Sequence, residues 1–97
     1  MNVMYTKKTT IVNKLGIHAR PGVLFVKEAK KYNAEITIFK LDEEDKPVNN
    51  CSAKSIAKVM AMVLKKGVRV EISAQGEDEQ AAVDSLVALV DSGLNDF

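Results

Sequence analysis

The sequence contains very few of the residues that build cross-links and metal centres. Its 97 residues include one cysteine, Cys51, one histidine, His18, and no tryptophan. A single cysteine excludes an intramolecular disulfide, and one cysteine with one histidine excludes zinc sites built from several such ligands. We therefore predict no metal site, and we expect Cys51 to be an inert packing residue in the core or in an edge strand.

Long apolar runs and an excess of charge of one sign are also missing. No stretch approaches the ~18 apolar residues that span a bilayer, and the N-terminal lysines are not followed by the apolar stretch of a signal peptide. Fourteen basic residues against thirteen acidic ones give a net charge of +1, which lacks the basic excess expected of a general nucleic-acid binder. These absences predict a cytoplasmic location, no membrane insertion and no nucleic-acid partner.

The remaining composition is typical of a compact domain. Hydrophobic residues make up 46% of the chain and charged residues 28%, with two prolines and five glycines. This balance argues against disorder and low complexity. The length suits one domain, residues 1–97, with a single core.

Hydrophobic periodicity predicts seven elements. The first is a strand that ends at residue 12 and begins either at residue 9 or near residue 4. It is followed, in order, by a helix from about residue 20 to 33, strands at 34–40 and 48–52, a helix at 55–64, a strand at 68–72, and a helix from about 76 to 93. Residues 13–18 and the acidic residues 41–47 are predicted loops. The apolar residues at helical spacing that we expect to face the core are Phe25, Val26, Ala29, Tyr32, Val59, Val63, Val83, Leu86 and Val90, and Ile56 and Met60 recur at the same spacing. This βαββαβα order predicts an α+β fold, an antiparallel sheet with helices on one face.

One short segment combines three features that suit phosphate chemistry. It reads Gly16-Ile17-His18-Ala19-Arg20-Pro21. An imidazole on a loop can take up and release a phosphoryl group at neutral pH. The start of a helix offers unpaired N–H groups, Arg20 offers a planar guanidinium, and Pro21 is favoured at the first helical position. A histidine near a helix start is more often a cap or a surface residue, so residue types alone leave both interpretations open.

The same segment resembles the active-site signature of HPr, the histidine-containing phosphocarrier family of the bacterial phosphoenolpyruvate-dependent sugar phosphotransferase system. Residues 54–56 and 59–60 resemble the regulatory-serine segment of Gram-positive members, and residues 67–81 resemble the last strand and the entry to the last helix. The resemblance covers nearly the whole chain. It implies one HPr-like domain over residues 1–97, folded as an open-faced β-sandwich of four antiparallel strands and three helices.

The resemblance implies a phosphoryl carrier. In this family the phosphoryl group passes from phosphoenolpyruvate through enzyme I to the histidine, and then to enzyme IIA components of sugar transporters. His18 corresponds to the phosphoacceptor, through its Nδ1 atom, and Arg20 to the residue that stabilises the phosphate. Gly16, Ala19 and Pro21 are expected to position it. No cofactor and no turnover independent of protein partners are expected.

Ser55 has two compatible interpretations. It is a good N-cap for a helix starting at Ile56, and the resemblance implies phosphorylation by an ATP-dependent HPr kinase, followed by recruitment of a catabolite repressor. Ile56 and Met60 are predicted to form part of the surface that docks partners. The departures from the family pattern are Ala57, Lys58 and Val63, which leave that surface smaller and more positive.

Three other functions are compatible with parts of this pattern. A regulatory HPr-like protein that acts only through protein contacts keeps the serine but loses the histidine, so His18 argues against it. An RNA-binding split βαβ module needs aromatic side chains on its strands, and Phe39 stands alone. A self-contained enzyme needs a second acid–base group beside His18, and the segment contains none.

Overall fold

A computed structural model describes residues 4–14, 16–17 and 19–94. Its elements are β1 (Tyr5–Thr10), α1 (Ala19–Ala29), β2 (Glu35–Leu41), β3 (Pro47–Ser52), α2 (Ile56–Ala61), β4 (Arg69–Gln75) and α3 (Glu79–Asp91). The four strands form one antiparallel sheet in the order β1-β4-β2-β3. The predicted α+β fold and element order are confirmed. The extent of the domain over residues 1–97 stays a prediction.

The core lies between one face of the sheet and the helices. In β2 and β4, alternate side chains are at most 2% exposed: Ile36, Ile38, Val70, Ile72 and Ala74. This period of two places them on the same face, because successive side chains of a strand point to opposite sides. The helices cover that face with Phe25, Val26, Ala29, Val59, Val83, Leu86 and Val90, all predicted core positions and all buried.

β1 is an edge strand whose side chains are held to α3 by polar contacts. The Tyr5 hydroxyl donates to Asp84 Oδ1 at 2.9 Å, and Lys7 Nζ lies 2.7 Å from the same oxygen. The Thr9 hydroxyl donates to Asp91 Oδ1. These contacts join residues up to 82 positions apart in the sequence, so the strand depends on the far end of the fold.

The hairpin between β2 and β3 is tighter than the predicted loop at residues 41–47. Leu41 is the last residue of β2 and only 5% exposed, and Pro47 is the first residue of β3. Asp42 closes the turn, because its Oδ1 accepts two backbone N–H groups of the turn at 2.8 and 2.9 Å. Arg69 binds both carboxylate oxygens of Asp45 at 3.0 and 3.2 Å. The acidic residues therefore form an ordered turn, and the strands extend further into it than the composition indicated.

α1 ends earlier than the periodicity predicted, at Ala29 rather than near residue 33. The carboxylate of Asp78 accepts the backbone N–H groups of Asn33 and Ala34, both at 2.8 Å. Those N–H groups are therefore not available to the carbonyls of a continuing helix. Tyr32, predicted on the helical stripe, lies outside the helix and packs half-buried against the core.

α2 is also shorter than predicted, ending at Ala61 instead of residue 64. Val63, predicted on the buried face, lies beyond the helix at φ 56° and is 53% exposed. The chain leaves the helix because Leu64 pairs with Ile17 in an isolated antiparallel bridge. A partner 47 positions earlier in the sequence thus decides where this helix stops.

The bounds of β1 and β4 follow from their mutual register. Residues 5–10 pair one to one with residues 69–74, so β1 ends before Val12, which is 45% exposed. The start near residue 4 that the sequence allowed agrees with the observed start at Tyr5, whereas the predicted end at residue 12 was too late and the prediction of 68–72 for β4 was too short. Pairing with two neighbours extends β4 to Gln75.

Candidate functional site

The predicted phosphoacceptor, His18, lies outside the described residues, and the structure describes both of its flanks. On one side, the loop between β1 and α1 is described at residues 11–14 and 16–17. On the other side, α1 begins at Ala19. The structure therefore describes the two residues that flank His18 in the sequence, Ile17 and Ala19.

A tight turn precedes His18. The Gly16 N–H donates to the Asn13 carbonyl at 3.0 Å, and Asn13 Nδ2 donates back to the Gly16 carbonyl. Asn13 is only 2% exposed, so this exchange is shielded from water. Gly16 has φ +72°, a left-handed conformation that glycine adopts without steric cost. The role of Gly16 in positioning a phosphate stays a prediction.

The turn is fixed against the connection between α2 and β4. The Ile17 N–H donates to the Leu64 carbonyl at 2.7 Å. A Cβ on Gly16 would lie 2.8 Å from the Cα of Lys65, and it would also collide with the Leu64 carbonyl. Glycine is therefore required at position 16 both for its φ angle and for this close approach of two backbones.

The start of α1 differs in detail from the prediction. Ala19 is the first helical residue and Pro21 is the third, not the first. Proline is tolerated there because the N–H groups of the first helical turn have no intrahelical acceptor. Pro21 is buried, whereas Ala19 and Arg20 are exposed. This exposed pair directly follows His18 in the sequence.

An apolar surface lies beside the start of α1, where this helix meets α2. A Cβ on Gly22 would lie 2.7 Å from Met60 Sδ and 3.2 Å from Ile56 Cδ1, so the two helices interlock at this glycine. Ile56 is 39% exposed and Val23 51% exposed. A shallow groove of about 310 Å³ is lined by Ala19, Arg20, Val23 and Leu24. The two predicted docking residues thus lie against Gly22, near the start of α1.

Val23 and Leu24 were missed by the sequence analysis. Both are apolar, yet neither lies on the stripe of α1 that faces the core. An apolar residue off the core stripe of an amphipathic helix is the signal that identifies such a surface position. Val23, at 51% exposed, extends the surface of Ile56 and Met60 towards Arg20.

Ser55 is the N-cap of α2, as predicted. Its backbone is extended, at φ −110°, and its Oγ accepts the Lys58 N–H at 3.4 Å. The side chain is half-buried, and Lys58 is exposed. Lys54, the residue before the cap, donates its Nζ to the Tyr32 carbonyl at 2.6 Å. The serine therefore lies at a pinned helix start, directly before the docking residue Ile56.

Cys51 lies in the edge strand β3, away from the start of α1. It is half-buried, and its Sγ lies 3.4 Å from Met62 Sδ. Burial raises the pKa of the Cys51 thiol above its ordinary range. Cys51 packs half-buried against the core from an edge strand, as predicted.

The described part of the chain contains neither a cluster of metal-binding side chains nor a membrane-spanning helix. Within residues 4–14, 16–17 and 19–94, no three His, Cys, Asp or Glu side chains come together as a group that could hold a metal ion. No helix in the same ranges is long and apolar enough to cross a membrane.

A protein-family model matches most of the chain. The family PTS-HPr, described as the PTS HPr component phosphorylation site, matches residues 5–92. The chain belongs to the HPr family. The match spans β1 to α3 and includes the Gly16–Pro21 segment, so the resemblance inferred from the sequence is confirmed.

Individual relatives support the same assignment. The phosphocarrier protein HPr of Haemophilus influenzae is 44% identical over 87 residues, which cover 90% of this chain and 95% of that protein. The crystal structure of HPr-C-His from Thermoanaerobacter tengcongensis has a TM-score of 0.82 at 33% identity, covering 96% and 98% of the two chains. The multiphosphoryl transfer protein of H. influenzae is 42% identical over 86 residues, but this chain spans only 17% of its length. This chain thus resembles a whole phosphocarrier protein in one case and a short segment of a longer protein in the other.

Proposed function

We propose that this HPr-family chain is a phosphocarrier that accepts a phosphoryl group from phospho-enzyme I on His18 and passes it to enzyme IIA components of sugar transporters. One observation carries the proposal: the Gly16–Pro21 signature connects a backbone-pinned loop to the start of α1 in a chain with the HPr fold. The proposal includes a cytoplasmic location, where phosphoenolpyruvate is made.

The reaction is a phosphoryl exchange between two proteins. In the first transfer, a bond forms between Nδ1 of His18 and phosphorus as the bond between phosphorus and the donor breaks. In the second transfer, the bond between Nδ1 and phosphorus breaks as phosphorus bonds to the acceptor. The step needs no oxidant and no resident cofactor. Most of its barrier is lowered by positioning and by charge stabilisation of the transferring group.

The residues around His18 suit those two requirements. Ile17 is fixed by its 2.7 Å bond to the Leu64 carbonyl, so the loop entering the site is pre-positioned. The N–H groups of the first turn of α1 present positive charge to an anion. Arg20 is exposed next to Ala19, and its guanidinium offers two parallel donors to phosphate oxygens. These features support His18 as acceptor and Arg20 as its partner.

The docking surface proposed for enzyme I and enzyme IIA consists of Val23, Ile56 and Met60. A second shallow groove of about 180 Å³ continues this surface and is bordered by Lys27 and Lys30. Both lysines are exposed. An apolar floor with a basic rim fits a partner that presents apolar side chains surrounded by carboxylates.

We also propose Ser55 as a site of regulation by an HPr kinase, with a catabolite repressor as a further partner. A phosphate there adds about −1.5 to −2 charges at neutral pH, directly before the docking residue Ile56. The added charge weakens docking of an acidic partner. Lys58, whose N–H the Ser55 Oγ accepts, offsets part of that charge, so regulation is expected to be weaker than in relatives without this lysine.

Incubation with enzyme I and phosphoenolpyruvate tests the main proposal. Intact mass measurement should show the gain of one phosphoryl group, which is lost in acid as expected of a phosphoramidate. The gain should be absent in His18→Ala and retained in Ser55→Ala, the matched control. Undiminished labelling of His18→Ala would refute His18 as the acceptor.

The regulatory proposal is tested separately. Wild type and Ser55→Ala are incubated with an HPr kinase and ATP, beside a relative known to be phosphorylated. Labelling of wild type alone is expected. Labelling of the relative without labelling of wild type would leave Ser55 as a helix cap only.

A further inference from the structure

Lys40 makes an unusual contact for a strand residue. It shares a strand face with Ile36 and Ile38, at the edge of the helix-covered side of the sheet. Its Nζ donates to the Met62 carbonyl at 3.1 Å and to the Val63 carbonyl at 3.4 Å. Both carbonyls lie just beyond the last residue of α2, Ala61. Lys40 thus binds, from β2, the turn that follows α2.

The turn that Lys40 binds is strained. Val63 has φ 56°, a left-handed conformation that is an outlier for a β-branched residue. Its side chain is 53% exposed, so packing contributes little to holding it. A strained conformation persists only where the surroundings impose it. The contacts made with this turn include the two hydrogen bonds from Lys40.

The same turn holds the loop that leads to His18. Leu64, the residue after Val63, accepts the Ile17 N–H at 2.7 Å. Gly16 lies so close to this connection that a Cβ would approach Lys65 Cα to 2.8 Å. A shift of the turn therefore moves its contact with Ile17, the neighbour of His18. Lys40 is linked to the loop through three consecutive residues.

We propose that Lys40 is a positioning residue for phosphoryl transfer, acting through the turn at residues 62–64 on the loop before His18. The inference rests on the proposed carrier function, but its structural half does not. Loss of the Lys40 bonds should loosen the Ile17 to Leu64 bond while leaving the rest of the sheet unchanged. The transfer rate should fall because the loop spends less time in its productive position.

Amide hydrogen exchange of Lys40→Met, followed by NMR on the free chain, tests the structural half. The Ile17 amide should exchange about fivefold faster or more, which corresponds to loss of support worth one hydrogen bond. The Ile11 amide, bonded to the Val68 carbonyl at 2.9 Å, is the internal reference and should not change. Lys40→Arg should restore slow exchange. Lys66→Met removes an equal charge from an exposed position in the same connection and should have no effect.

Transfer kinetics test the functional half. With phospho-enzyme I as donor, Lys40→Met should lower kcat by about threefold to tenfold with little change in KM, well short of the roughly hundredfold cost of a 1 Å misplacement. A rise in KM alone would assign Lys40 to docking and overturn the proposal. Unchanged Ile17 exchange, or equal acceleration at Ile17 and Ile11, would overturn it too, and Lys40→Gln repeats the comparison if Lys40→Met does not fold. If wild type accepts no phosphoryl group, the proposed carrier function is refuted. The amide exchange of Ile17 still shows whether Lys40 supports the hydrogen bond between Ile17 and Leu64.

Discussion

Replacement of Val63 by glycine is expected to relieve strain, in contrast to the usual effect of glycine. Val63 has φ 56° and is 53% exposed. A left-handed conformation costs an L-residue roughly 1–2 kcal/mol, and glycine does not have this cost. Glycine in turn costs about 0.4–1 kcal/mol through the greater freedom of the unfolded chain. The difference favours glycine over another small residue at this position.

The comparison with alanine isolates the backbone term. Val63→Ala and Val63→Gly both remove most of the valine side chain, so loss of packing affects them almost equally. Only alanine retains a Cβ in the left-handed conformation. We therefore expect Val63→Gly to have a free energy of unfolding about 0.5–1 kcal/mol higher than Val63→Ala.

Val48 provides the matched control. It is 59% exposed in the edge strand β3, close to the exposure of Val63, and it is not among the described residues with positive φ. There the order should invert, with Val48→Gly about 0.5–1 kcal/mol less stable than Val48→Ala.

Urea unfolding followed by circular dichroism measures all four variants. The slope m should be unchanged, so that midpoints report stability alone. A difference of 1 kcal/mol corresponds to a Tm shift of about 4–8 °C in a domain of this size. If glycine is the less stable substitution at both valines, the strain assigned to Val63 is refuted, together with the need for Lys40 to impose it.

Three further outcomes are expected. Arg20→Lys keeps the charge but loses the two parallel donors, so both phosphoryl acceptance and donation should slow in rapid-quench assays while circular dichroism is unchanged; equal rates would remove Arg20 from the site. Ser55→Ala should lower the free energy of unfolding by about 0.5 kcal/mol, the low end for an N-cap, because its bond to Lys58 N–H is long at 3.4 Å; no change in the urea midpoint would show that the cap contributes nothing. The backbone bonds from Asn33 and Ala34 lower the pKa of Asp78, so its contribution to stability is present above the unfolded aspartate value of about 3.9 and lost as pH falls below it. In Asp78→Asn, the urea midpoint should therefore fall less steeply than in wild type as the pH is lowered through the acid range. A fall as steep as that of wild type would contradict this.

The parts of the fold that the sequence predicted best are those governed by local periodicity. Ile36 and Ile38 in β2, and Val83, Leu86 and Val90 in α3, repeat at strand and helix spacing and are all buried. The predictions failed where a distant residue decides the outcome. α2 stops at Ala61 because Lys40 and Ile17 bind the turn that follows, and no window of the sequence around residues 55–64 contains that information.

The candidate site divides in the same way. His18 and Arg20 were singled out because their residue types adjoin a helix start and their segment resembles a family signature, and their roles stay predictions. The sequence could not identify Lys40, because nothing around a lysine in a strand indicates that it binds the turn after a helix 22 residues later. Asn13 was also missed, since its buried bond to the Gly16 carbonyl depends on the turn between them.

The position of β1 in the sheet has a consequence for folding during synthesis. β1 pairs with β4, and β4 lies between β1 and β2. Its side-chain partners, Asp84 and Asp91, come later still. A ribosome adds about 5–20 residues per second, so roughly 3–12 s pass between the emergence of β1 and that of its partner strand.

During that interval β1 lacks β4, the strand with which it pairs. β2 and β3 form a local hairpin and do not depend on a strand that is synthesised much later. β1 precedes the other three strands of the sheet in the sequence and is therefore among the last of them to be placed. Thr6, Lys7 and Lys8 of β1 are exposed in the folded chain. Polar and charged side chains of this kind disfavour pairing of the unpaired strand with other nascent chains.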